Sequence, residues 1–354
     1  MIQIVKRPDP TRREDVLTRL GALLGAVICA AVIIGFIGYN PFEVFKNLVV
    51  GSTGTAMRIQ STMNKTIPLA TLSLGVAVCF KMKFWNIGAE GQFYMGAMFA
   101  TWAAFNFKQL PIYLLLPLMG ILGFLGGGLW ALIPAVFKSR FKTNEILVTL
   151  MMNYIATKYI TYLQYGPWKD PKAGGFAKMP KFISAAVLPK LFGVHIGWIV
   201  MLVAALFIHI LLTRTKIGYE IAVIGESETT ARYAGISVTK VTIFAVILGG
   251  GLCGIAGMMQ ASAIEKSLTD QLSAGLGFTA VITAWLARLS APGILVVSFL
   301  FACLLQGSAF IQTAMQIPAQ VAEVLQGIIL FFVLGSEFFL NYQLAWHKSG
   351  KEAA

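Results

Sequence analysis

Charge is what this chain has least of. Of 354 residues, 12% are Asp, Glu, Lys or Arg, where a soluble domain carries about 25%. With 57% hydrophobic residues and a mean hydropathy of +0.75, that shortage excludes an ordinary water-soluble globule and points to a polytopic membrane protein. Acids are scarcer than bases, 15 against 28, for a formal net charge of +13. Such an excess can signal nucleic acid, but Lys and Arg in short loops beside apolar runs report membrane orientation instead. Cysteine is rare, and Cys29, Cys79, Cys253 and Cys303 all fall within apolar runs with no C-x-x-C pair. They read as packing residues, with neither a disulfide framework nor a metal site indicated. His195, His209 and His347 have no partners at ligand spacing. No H-E-x-x-H, G-x-S-x-G or G-x-x-x-x-G-K-[ST] pattern occurs, so no catalytic residue, metal site, phosphate-binding loop or cofactor is expected on this chain.

What is there is a series of apolar runs. The opening MIQIVKRPDPTRREDVLTRL is charged and lacks a small-residue cleavage site after the first run. It reads as a cytoplasmic arm over residues 1–19, with the first span as its own insertion signal. A span needs about twenty apolar residues. Passes are expected at 20–39, 67–80, up to about 107, 112–137, 145–165, 198–213, 241–260, 275–289, 294–310 and 317–340. That is an all-α polytopic fold of about ten transmembrane helices, one membrane domain over 20–340 and a cytoplasmic tail over 341–354. Residues 41–66 are mixed and read as an outer interfacial helix. Residues 166–197, with Pro167, Pro171, Pro180 and Pro189, read as an irregular outer segment. On this topology most basic residues lie inside, Lys81, Lys83, Arg214, Lys216 and Arg288 among them, with both termini. Gly21-xxx-Gly25, Gly123-xxx-Gly127 and Gly250-xxx-Gly254 put small residues on one helix face, where backbones can approach.

Polar stretches interrupt the pattern. In Gly218–Lys240, Ser227 has the side-chain oxygen of an N-cap and Glu228 suits the first turn of a helix. Gly235 stands where a left-handed residue would end that helix. The spacing predicts a two-turn cytoplasmic helix over about 228–234, too short to be stable alone in water. NIGAEGQ (86–92) places Asn86, Glu90 and Gln92 where two glycines loosen a helix. It reads either as a broken helix lining a passage or as a loop at the inner interface. A third polar line runs through Gln306, Gln312, Gln316, Gln320, Glu323 and Gln326, and a fourth through Thr149, Asn153 and Thr157. The third reads as helix glue, the commoner case, or as a hydrophilic path, and the fourth fits either role equally.

Four stretches in order and spacing, NIGAEGQFYMGA (86–97), TNEILVTLMMNYIA (143–156), GESETTARYAGI (225–236) and GLGFTAVITAWLARLSAPG (275–293), resemble the permease subunits of bacterial ATP-binding-cassette importers. The branch they are most similar to carries nucleosides and simple sugars and is fed by a basic-membrane-protein type lipoprotein. The resemblance implies a subunit of the bacterial cell membrane that forms half of a translocation path and is no enzyme itself. Its implied partners are a separate ATPase that uses ATP and Mg, a second related permease and the substrate-binding lipoprotein. It makes the short helix a coupling helix at 227–236, with Glu226, Ser227, Glu228, Thr230, Ala231, Arg232, Tyr233, Ala234, Gly235 and Ile236 against the ATPase. The polar residues read within the apolar runs, Asn86, Glu90, Gln92, Asn153, Gln320, Glu323 and Gln326, are the expected path lining. Amides contact a hydroxylated solute at less desolvation cost than a carboxylate. Asn153, Gln320 and Gln326 are therefore expected to touch solute weakly, and Glu90 to brace 86–92. The alternative is an ion-coupled secondary transporter using Glu90 and Glu323. A membrane enzyme would need clustered acids, and the outer loops offer only Asp170, Glu265 and Asp270, scattered.

Overall fold

Inside a bilayer the backbone has no partner but itself, so apolar runs of this length become helices. The computed structural model of the chain is built that way. It describes residues 2–6, 12–318, 320, 321, 324, 325, 327, 328, 331, 332, 335, 336, 340 and 342–346. Strand β1 (Ile2–Lys6) leads into helices α1 (Arg12–Ile37), α2 (Pro41–Thr53), α3 (Ala56–Lys81), α4 (Ala89–Asn106), α5 (Ile112–Phe141) and α6 (Glu145–Tyr165). A short hairpin, β2 (Lys190–Leu191) and β3 (Val194–His195), precedes α7 (Gly197–Arg214), α8 (Lys216–Glu226) and α9 (Glu228–Tyr233). Then come α10 (Val238–Met259), which runs on as a π-helical turn over Gln260–Glu265, α11 (Leu276–Leu286), α12 (Ala291–Ala314) and β4 (Tyr342–Trp346).

Among the described residues six helices are long and apolar enough to cross a membrane: Leu20–Ile37, Ala56–Lys81, Ile112–Phe141, Gly197–Arg214, Val238–Glu265 and Ala291–Ala314. Helices α4 and α6 have 18 and 21 residues but carry polar groups. Two expected passes differ in detail. The polar stretch before residue 67 is not a separate interfacial helix throughout. From Ala56 it is the first half of the 26-residue α3, because Thr62 and Thr66 are buried and Thr66 Oγ1 bonds the Thr62 carbonyl. The expected pass at 275–289 is helical over 11 residues, about 16 Å, since Gly275 stands at φ 81° and Arg288 and Leu289 end the helix at φ 52° and 55°.

The chain divides into two compact units, residues 1–58 with 303–354, and residues 59–302. In the first, β1 pairs antiparallel with β4, Ile2 opposite Trp346 and Lys6 opposite Tyr342. Its core joins Ala30 and Ile34 of α1, Val44 and Leu48 of α2, and Ile311, Ile317 and Leu325.

The second unit has α4, α5 and α10 at its centre. The glycine pattern explains how close they come. Gly123 and Gly127 of α5 meet Gly250 and Gly254 of α10, and Gly96 of α4 meets Gly254, each where an added Cβ would strike backbone. These contacts are backbone on backbone, as expected of small-xxx-small faces. Gly21 has nothing within 4 Å, and Gly25 meets the Phe332 ring, so that first motif is half used.

Candidate functional site

The capped helix is α9. Ser227 is extended (φ −155°, ψ 115°) and its hydroxyl accepts from the Thr230 N–H at 3.2 Å. At the other end Gly235 takes φ 77°, the Ile236 N–H donates to the Ala231 carbonyl and the Gly235 N–H to that of Arg232, the paired bonds of a Schellman cap. Arg232 pairs with Glu228 at 2.7 Å. In α9 the buried residue is Ala231, while Tyr233 is 89% exposed. Glu226, Glu228, Thr230, Arg232, Ala234 and Gly235 are exposed too. A helix this short, held by one methyl group and two caps, offers nearly its whole surface outward. The sequence pattern missed α8, a helix capped by Thr215, whose hydroxyl accepts from the Gly218 N–H. The Thr215-xx-Gly218 spacing was its signal. Gly225 of α8 lies on the Lys81 carbonyl, leaving no room for a Cβ. Between α9, the α3–α4 connection and the α5–α6 turn lies a cavity of about 900 Å³, lined by Lys83, Lys138, Lys142, Glu145, Glu228 and Arg232 among others. Lys138 bonds Glu145 at 2.5 Å and lies 5.0 Å from the Phe84 ring centroid. That pair closes the α5–α6 turn, and opposite charges seven residues apart in KSRFKTNE were its trace in the sequence.

The stretch 86–92 is a broken helix buried in protein. Asn86 and Gln92 are 0% and 1% exposed and join their amides face to face, at 3.0 and 2.9 Å, while Asn86 Oδ1 also accepts from the Gly88 N–H. Asn153 reaches in from α6, accepting from the Gly91 N–H and donating to the Ile87 carbonyl, both at 2.8 Å. Glu90 turns the other way. Its Oε2 accepts from the Gly277 N–H at 2.8 Å, at the start of α11. Asn153, expected to touch solute, bonds to the backbone of 86–92, and Glu90, expected to brace 86–92, bonds instead to the start of a second discontinuous helix. The reason is direction. Asn153 faces α4 from a buried position, and the Glu90 carboxylate lies against the free N–H groups of a helix start, where negative charge is favoured. Tyr94 fastens the irregular approach to α11, donating to the Asp270 carbonyl at 2.7 Å and accepting from the Ser273 N–H. Trp85 and Trp285, 5.3 Å apart with Phe80 beside both, tie the two broken stretches again at the α9 end.

With a capped surface helix and two interrupted helices in register, the four stretches occupy one structural unit. A family described as branched-chain amino acid transport system / permease component matches residues 58–334. The chain belongs to this permease family. It is similar to the glucose ABC transporter permease protein TsgB13 of Haloferax volcanii, 30% identical over 98% of this chain and 95% of that protein. It is also similar to the nucleoside ABC transporter permease protein NupB of Lactococcus lactis, 30% identical over 88% of this chain and 87% of that one. The guanosine ABC transporter permease protein NupP of Bacillus subtilis is 29% identical over 92% and 94%.

The remaining sequence candidates of the permease are dispersed. Thr149 is 0% exposed and bonds its own helix at the Glu145 carbonyl, as Thr157 does at that of Asn153. Gln316 sits at φ 53° and Gln320 is exposed. Glu323 and Gln326 lie outside the described residues. At the end of the unit away from α9, the outer segment 166–197 is largely irregular but firmly pinned. Gln164 donates to the Ala177 carbonyl and accepts from the Asp270 N–H, and Ser262 of the π turn bonds both Ala186 and Leu188. His195 there is 2% exposed. Burial first, with Lys190 adding to it against an opposing pull from Asn64, pushes its imidazole pKa down to about 4.

Proposed function

We propose that this permease forms half of the translocation path of an ATP-binding-cassette importer for nucleosides or simple sugars, and that α9 is where a separate ATPase drives it. The observation that carries the reading is α9 itself: capped at both ends, anchored by Ala231, with Tyr233 and Arg232 outward. A chain without a phosphate-binding loop must receive ATP energy through contact, and α9 with α8 offers a rigid handle joined directly to α10. The relatives' names support the solute class. A second related permease completes the path, and a substrate-binding lipoprotein delivers the solute. Basic residues at the α9 end (Lys81, Lys83, Lys138, Lys216, Arg232, Lys240) support placing that end in the cytoplasm of a bacterial cell. In this reading α4, α6, the broken segment 266–286 and 317–340 make up about ten crossings with the six apolar helices. Gln320, Glu323 and Gln326 remain proposed lining. An ion-coupled mechanism would need Glu90 accessible to the ion, and Glu90 is engaged at the start of α11.

The test is reconstitution with the ATPase and lipoprotein that co-purify with the tagged permease. Arg232→Glu and Tyr233→Ala are expected to insert and assemble normally but to lose solute-stimulated ATP hydrolysis about tenfold or more. Uptake that persists without the ATPase, or full coupling in both variants, would overturn the assignment. Single cysteines at positions 227 and 290 should label from inside, and one at 173 from outside.

A further inference from the structure

Helix α6 has two faces of opposite character. One is buried through Thr149, Met152, Asn153, Ala156, Ile160, Leu163 and Gln164. The other is open. Tyr154 is 61% exposed, Tyr162 63% and Tyr165 64%, and Lys158 between them is exposed. At about 100° per residue, Tyr154, Lys158, Tyr162 and Tyr165 fall within a strip roughly 80° wide, which the exposed Leu147 and Met151 continue toward the start of the helix.

A helix face turned to lipid should be apolar, with Tyr confined to the membrane interface. That accounts for Tyr165 and, with some reach, Tyr162. It does not account for the other two. Counting about 1.5 Å per residue from Glu145, Tyr154 stands roughly 13 Å and Lys158 roughly 20 Å along a helix of about 31 Å. The hydrocarbon layer is about 30 Å thick, so Tyr154 sits near its middle and Lys158 is still well inside. No carboxylate among the described residues is ion-paired with Lys158. An ammonium group at that depth faces water or another protein surface.

We infer that the Tyr154–Lys158–Tyr162 face of α6 is a solute-facing wall of the translocation path, and that the solute it takes carries a flat ring and hydroxyl groups but no positive charge. The inference rests on the importer reading above. Phenol rings stack on nucleobases and on the C–H faces of sugars. Tyr159 and Tyr162 already lie near-parallel, with centroids 6.3 Å apart. Their hydroxyls can donate and accept, Lys158 donates to ring or hydroxyl oxygens, and its charge repels cations. Stacking is tolerant of the ring presented, which suits a path that must release what it admits.

The test uses the complete importer in proteoliposomes. Tyr154→Leu and Tyr162→Leu should each raise the half-saturation concentration for guanosine or glucose uptake about tenfold, while Tyr154→Phe stays within about twofold. Lys158→Glu should admit a cationic sugar such as glucosamine that the unmodified importer rejects. With the four native cysteines replaced, Tyr154→Cys and Lys158→Cys should react with a water-soluble thiol reagent, and solute should slow that reaction. Unchanged half-saturation in the Leu variants, reaction with membrane-dissolved reagents alone, or a cross-link to the second permease that solute does not affect would each overturn the inference. The thiol measurement does not need the solute identified. Uptake of neither guanosine nor glucose would therefore defeat the solute class while leaving the wall readable.

Discussion

Asn153 and Tyr154 are neighbours on one helix and belong to different worlds. Asn153 is 4% exposed with both ends of its amide bonded to the backbone around residues 87–91; Tyr154 is 61% exposed. The same contrast holds between regions. In the joint around 86–92, Asn86, Glu90, Gln92 and Asn153 are closed by hydrogen bonds within the chain. On the open face of α6, Tyr154, Lys158 and Tyr162 are exposed, and on α9 Tyr233 is. In a membrane protein, polarity by itself therefore does not mark a path. What separates a brace from a lining is whether the protein's own backbone has already used the group.

The largest effect expected on that contrast comes from Asn153→Leu. It leaves the buried Gly91 N–H without its partner, at about 1–3 kcal/mol, and takes the donor from the half-buried Ile87 carbonyl as well. Thermal unfolding of the detergent-purified permease should shift down markedly, while Tyr154→Leu leaves it in place. Equal shifts in both would erase the distinction. Glu90→Leu should follow, removing a hydrogen-bond acceptor from the start of α11 at about 1–3 kcal/mol; Glu90→Gln should cost less than Glu90→Leu. A thermal midpoint unchanged in both would show that the cap contributes nothing.

A proton should open a third closed place. The His195 pKa in the folded protein, about 4, is below its ordinary value of 6.5, so below 6.5 the unfolded chain binds the proton more readily. The stability it contributes is fully present above pH 6.5 and is lost as pH falls toward 4, up to about 3 kcal/mol in all. Stability measured across pH 4–7 should show this slope, and His195→Phe should flatten it. The smallest effect belongs to the open helix. Ser227→Ala should cost about 1 kcal/mol of local helix stability, leave global unfolding unchanged, and be visible in solute-stimulated ATP hydrolysis.

Much of this was legible where the signal is local. Ser227 and Gly235 bracket α9 within nine residues, and caps are written in adjacent positions. The glycine pairs of α5 and α10 were legible because helical period carries a face. The joint was legible in residue type alone. Which group meets which was not, because Asn153 and Gly91 are 62 positions apart and Glu90 and Gly277 are 187. The shortness of α11 was hidden because the largely apolar run 275–289 reads the same whether or not Gly275, Arg288 and Leu289 turn left-handed. The open face of α6 was hidden for the opposite reason: its tyrosines count as apolar in a span and only their exposure sets them apart.

The glycine seam between α5 and α10 has a mechanical meaning. Where backbone lies on backbone there is no side chain to change rotamer and no slack to take up, so α4, α5 and α10 should travel as one stiff block. A push delivered through α9 to α10 then cannot be absorbed at that seam. It must be taken up where the chain is not helical, at 82–88 and 266–275. Glu90 and Tyr94 of α4 hold the second of these segments and the start of α11 behind it. The permease is in this sense a lever whose compliance lies in its two helix breaks and not along its seam.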